Sequence, residues 1–153
     1  MKKYLQNKLN NEKGMTLIEL LAVIVIIAII AAIAIPAIGN IIENSRYSAV
    51  KADATNVLNA AQLYYTETPE GPGANTPLTV TLLKSSGFVE SEGKIPVGST
   101  ITKDSTSGVL KITTTPIDFS GSKKIKFTAA SIKGITGDTD KGSAVTGTKE
   151  ISN

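Results

Sequence analysis

No cysteine and no histidine occur anywhere in the 153 residues. Their absence excludes disulfide staples, thiolate nucleophiles, Cys/His metal sites and the side chain that most often serves as a general base. No paired-carboxylate motif replaces them, so neither enzymatic activity nor a cofactor is expected. Excess charge is also missing from most of the chain, although the formal net charge is +3. Lys2, Lys3, Lys8 and Lys13, set against Glu12 alone, hold all of it; setting these aside leaves 12 of the 16 cations and 12 of the 13 anions. A neutral body gives the basic isoelectric point no weight as a sign of a nucleic-acid partner.

What the chain does have is a long apolar run. Leu20 to Ile38 contains only Leu, Ala, Val and Ile, with Pro36 as the one irregularity. As a helix, this run would span about 28 Å, close to the hydrocarbon thickness of a bilayer. The lysine cluster precedes it, so the positive-inside rule places the N-terminus in the cytoplasm and the remainder outside the cell membrane. The competing reading is a secretory signal peptide cut behind Ala32-Ile33-Ala34. Such a peptide has a shorter apolar region, and the periodic pattern here continues past Pro36 without a loop.

The junction Lys13-Gly14-Met15-Thr16-Leu17-Ile18-Glu19-Leu20 is the most specific segment. An acidic side chain beside an apolar span is costly unless it has a partner. Thr16-Leu17-Ile18-Glu19 fits a capping box, with Thr16 capping the helix and Glu19 reaching back to a free N–H. The basic leader, Gly14, Glu19 five residues later and the hydrophobic span together resemble the prepilin signature of type IV pilins and pseudopilins. The resemblance covers roughly the first 65 residues. It implies cleavage between Gly14 and Met15 by a prepilin peptidase, then methylation of Met15. Methionine stands where the family most often has phenylalanine. The resemblance further implies that Glu19 contacts the new amino group of Met15, within or between subunits, once the helix is packed in a filament. Met15 and Glu19 are four apart and share a helix face.

Beyond Pro36 the apolar pattern narrows. Tyr47, Val50, Ala54, Val57, Ala61 and Tyr64 recur at spacings of three and four, the stripe of a helix packed on one side. No Pro or Gly intervenes between Asn40 and Thr68. One helix of about 50 residues is therefore expected. The alternative is a pair hinged at Pro36-Ala37-Ile38-Gly39. Thr68 to Gly73 ends the helix. Leu78 to Leu83 reads as a helical turn capped by Gly87. Val109 to Thr113 and Lys124 to Thr128 read as strands, and Ile95 to Thr102 as a third. From Gly134 the composition leaves order open. Asp138-Thr139-Asp140-Lys141-Gly142 faintly resembles a calcium loop but lacks a third acidic ligand, so a solvated turn is expected. Lys123, Lys124 and Lys126, with Lys133, form a basic cluster that reads as strand-edge protection; a DNA contact is the weaker alternative.

The expected architecture is α+β: a leader over 1–14, a long assembly helix over 15–67 and a head over 68–153 with a small antiparallel sheet. The resemblance implies a structural subunit that waits in the membrane lipid and then enters an extracellular pilus as a homo-oligomer. Its implied partners are a prepilin peptidase, an assembly ATPase, a membrane platform protein and minor pilins. Gly14 and Met15 are the processing residues, and Met15, Glu19 and Pro36 the assembly residues. Ala28, Ala31, Ala32, Ala34 and Ala37 would allow close helix approach. Rival readings are a pseudopilin of a secretion or DNA-uptake system, and a signal-anchored binding module that never polymerises.

Overall fold

The computed structural model describes residues 16–73 and 76–153. Gly14 and Met15 lie outside them. One helix, α1, runs Leu17–Glu67 with Pro36 inside it. The hinged alternative is thereby set aside: proline removes one backbone donor and crowds the carbonyl four residues earlier, yet the helix continues through it. By its contacts the chain divides into two compact units between Gly39 and Asn40.

In the first unit, the described residues are α1 as far as Gly39. From Leu20 to Ile38 its side chains are aliphatic around the whole circumference, and none from Leu17 onward is buried; Leu17 is 84% exposed and Ile33 70%. An apolar surface of that extent is unfavourable in water and marks a membrane or protein contact.

In the second unit, the stripe read from the sequence is the buried face of α1. Tyr47, Val50, Ala54, Val57, Ala61 and Tyr64 are all buried, joined by Leu58 and Ala60. Two three-stranded sheets complete the core, where a single antiparallel sheet is expected from the sequence. The first consists of β1 (Leu78–Thr79), β2 (Thr100–Lys103) and β3 (Leu110–Thr113), antiparallel throughout. Its register places Leu78 opposite Ile101 and Ile101 opposite Ile112. These three buried side chains form one cross-strand row.

The second sheet consists of β4 (Ile117–Ser120), β5 (Lys123–Phe127) and β6 (Thr148–Ile151), in that order. It is mixed: β4 and β5 pair antiparallel, whereas β5 and β6 pair parallel, with Phe127 opposite Ile151. A parallel neighbour needs a long crossover, here the 20 residues from Thr128 to Gly147. That crossover holds α3 (Ile132–Gly137) and a 3-10 turn (Gly142–Ala144). Reciprocal backbone hydrogen bonds between Ile112 and Ala130 link β3 to the chain leaving β5.

Three local expectations shift. Glu92 to Ser99 is a pair of turns closed by Ile95 N–H to Glu92 O and Ser99 N–H to Pro96 O, so the strand expected from Ile95 begins only at Thr100, as β2. The helical turn after Pro77 starts later, because Leu78 and Thr79 pair with β2. Thr79 then caps α2 (Val80–Ser85) by accepting from Leu82 N–H. Gly87, at φ +78°, ends α2: its N–H bonds to Lys84 O, and Phe88 N–H to Leu83 O. The segment from Gly134 is ordered into α3, the 3-10 turn and β6.

Candidate functional site

At the start of α1, Thr16 and Glu19 form a reciprocal cap. The Thr16 backbone N–H donates to Glu19 Oε2 at 2.7 Å, the Thr16 hydroxyl donates to the same oxygen at 2.8 Å, and Glu19 N–H returns a bond to Thr16 Oγ1 at 3.4 Å. Two amide donors that the first turn leaves free are thus satisfied, and the carboxylate sits where the helix dipole favours negative charge. Both bonds to the carboxylate go to Oε2, and Glu19 Oε1 accepts no hydrogen bond among the described residues. Capping therefore does not exhaust the acceptor capacity of Glu19. Met15 and Gly14, the other expected members of this group, are outside the described residues. Pro36 lies more than four turns along the same helix.

The three strand lysines of the expected basic cluster are paired with carboxylates on α1, β4 and β6. Lys123 meets Glu43 at 2.8 Å, Lys124 meets Asp118 at 3.2 Å and Lys126 meets Glu150 at 3.6 Å. Lys133 is exposed on α3. Pairing of the three strand lysines removes most of the positive field that a phosphate backbone would seek.

Asp138 departs most from expectation. Instead of a solvated turn, its side chain is only 10% exposed and forms a hub. It accepts from the Tyr47 hydroxyl at 2.7 Å and from Lys51 Nζ at 3.1 Å, with Lys149 Nζ at 3.6 Å. Lys149 also bonds to Asp140. An ammonium thus occupies the place between the two aspartates, and no cluster of metal-binding side chains exists among the described residues. Burial works to raise the Asp138 carboxyl, but the hydrogen bonds from Tyr47 and Lys51 and the two lysine charges outweigh it, and the net direction is down. The Tyr47 phenol is pushed well up, first by burial and then by its bond to Asp138. The clue in the sequence was Tyr47 itself: a phenol on a buried stripe needs an acceptor.

Residues 9–35 match the family described as the prokaryotic N-terminal methylation motif. The chain carries the prepilin-type signature of type IV pilins and pseudopilins. That motif is joined here to an apolar N-terminal helix, an arrangement similar to that of type IV pilin-like proteins. The match ends at Ile35, so the pilin-like head rests on its own geometry: a long helix against small antiparallel and mixed sheets. No curated protein and no solved structure matches the chain.

Proposed function

We propose that this pilin-like chain is a non-enzymatic structural subunit of a type IV pilus-like filament. In this reading residues 1–14 are a leader removed by prepilin peptidase, 15–67 the assembly helix and 68–153 the head. The observation that carries the reading is the exposed aliphatic surface of Leu17 to Ile38, most of which lies within the methylation motif matched at residues 9–35. A bilayer satisfies that surface in the precursor, with the N-terminus cytoplasmic. A bundle of identical helices satisfies it in the fibre, where the alanines from Ala28 to Ala37 let backbones approach. Glu19 Oε2 keeps its capping bonds, and Oε1 is available to the amino group of Met15 created by cleavage. In an apolar bundle that pairing avoids an uncompensated carboxylate, which is strongly unfavourable.

Electron microscopy of material sheared from the cell surface tests the reading. Filaments labelled by an antibody against the head are expected; a chain that stays in the membrane and never appears in filaments would favour a signal-anchored binding module. Filament length separates an extended pilus from a short pseudopilus.

A further inference from the structure

Among the described residues of the second unit, Arg46, Lys94, Lys103, Lys133 and Lys141 take part in no ion pair. Two of them, the exposed Arg46 and Lys94, flank one cleft of about 370 Å³, with Ala49, Val50 and Phe119 completing its lining. The cleft is held open by its own framework. Lys94 N–H donates to Asp53 Oδ2 at 2.8 Å, fixing the loop against α1. Gly93, at φ +60°, makes this approach possible, since a Cβ there would lie 2.2 Å from Asp53 Cγ. The nearby carboxylates are already engaged: Asp53 by that amide, and Glu43 by Lys123 and Ser120.

The last turns of α1 present the opposite character. A helix C-terminus ordinarily attracts cations, yet this one has no basic residue in its last turn and carries Glu67 there, with Glu70 just beyond. Both are exposed and neither forms an ion pair among the described residues. The neighbouring cation, Lys103, lies over the Tyr65 ring at 5.0 Å. One turn before Glu67, Leu63 is 60% exposed, the one large aliphatic of α1 left outside from Tyr47 onward. Leu63 and Glu67 are four apart and share a face, apolar at one point and acidic at the next.

Resting on the filament reading, we propose that the Arg46–Lys94 cleft receives the Leu63–Glu67–Glu70 end of α1 from a second copy of this chain. An apolar floor with a cationic rim faces an apolar knob with an acidic rim. The two halves lie at different places on one chain, so the contact is heterologous and propagates instead of closing a dimer. Val50 and Leu63 are 13 residues apart along the same helix, so seating Leu63 on Val50 brings Glu67 level with Ala54, next to the Asp53 that holds the Lys94 loop. At about 1.5 Å per residue, copies with parallel helices would then be displaced by about 20 Å along the helix axis.

Charge reversal in the full chain tests this. Arg46→Glu with Lys94→Glu, and separately Glu67→Lys with Glu70→Lys, are each expected to lower sheared-filament yield by about tenfold or more at equal membrane levels. All four substitutions together are expected to restore it to within about threefold of the parent, because complementarity returns with reversed sign. Glu67→Lys favours its own helix dipole, so a loss of assembly in that variant is not a loss of folding. Parent-like yield from the double variants, or no rescue in the quadruple variant, overturns the inference while leaving the filament reading intact. A parent chain that forms no filaments removes both.

Discussion

The Tyr47 phenol donates a 2.7 Å hydrogen bond to Asp138 Oδ2, and Lys51, one helical turn further on, reaches the same carboxylate at 3.1 Å and the Asp138 carbonyl at 2.6 Å. These bonds tie the packed face of α1 to the crossover that carries the chain from β5 to β6. The crossover has few large apolar side chains of its own, with Ile135 and Val145 its buried anchors. Its position therefore depends on this polar hub to an unusual degree.

Asp138→Ala leaves a buried phenol without its acceptor and a half-buried lysine without its counter-charge, so a loss of about 2 kcal/mol is expected. Tyr47→Phe removes one bond and should cost about 1 kcal/mol. Because the folded state depresses the Asp138 carboxyl below its ordinary 3.8, the stabilisation is present above that value and is lost as pH falls through the lower folded value. The raised Tyr47 phenol acts in the other direction, with stabilisation present below its ordinary 10.0 and declining as pH rises beyond it. Denaturant melts of the parent across pH should show both limbs, and Asp138→Asn should flatten the acid one. An unchanged acid limb in that variant would contradict the role given to Asp138.

Gly142 sits where the crossover touches α1. A Cβ there would lie 2.6 Å from the Glu43 carbonyl oxygen and 2.6 Å from Tyr47 Cβ. Backbone cannot yield as a flexible side chain can, so Gly142→Ala should destabilise the head by about 1–3 kcal/mol. Gly98→Ala, with open space around the site, is the matched control. Equal melting of the two variants would show the close approach to be absent.

Much of this architecture was legible in residue spacing. The stripe from Tyr47 to Tyr64 named its buried face because a 3.6-residue period leaves few alternatives over that length. Lys124 to Thr128 alternated cleanly and corresponds to β5, which runs Lys123–Phe127, one residue earlier than read. The second sheet was not legible, since a parallel pair between β5 and β6 leaves no turn signal and depends on a distant crossover. Asp138 was misread for a related reason: a polar residue in a Gly- and Thr-rich segment resembles a turn until Tyr47 and Lys51 are brought to it in space. At the N-terminal site the capping box could be read directly, because both partners lie within one helical turn.

Thr16→Val should loosen the capping geometry while leaving the Glu19 charge, and a partial fall in filament yield is expected. Glu19→Ala should leave membrane insertion intact, since a carboxylate has been removed from the edge of the span, while assembly fails. Yield is to be compared at matched subunit levels in the membrane. Normal assembly by Glu19→Ala would leave capping as the whole role of that residue.

Pro36 gives a second handle on assembly. Ala32 O lacks its usual helical donor, and Gly39 adds backbone freedom nearby. On entering a filament, residues around Ala32 to Gly39 are expected to lose helical hydrogen bonds and lengthen the subunit. Extending five or six of them from helical to extended rise would add about 10 Å. Pro36→Ala should stiffen this segment and change filament extensibility or yield with insertion preserved. A filament reconstruction that traced unbroken α-helix through Pro36 would contradict the expectation.

Everything proposed for assembly depends on where the mature chain begins. The intact mass of the subunit, taken from filaments sheared off the cell surface, reads that point directly. A chain starting at Met15 and one methyl group heavier than its bare sequence is the expected result, placing cleavage behind Gly14 and freeing the amino group that Glu19 would meet. A chain starting at Ile35, cut behind Ala34, would mean that the apolar run is a discarded signal peptide, and the filament reading would fall with it.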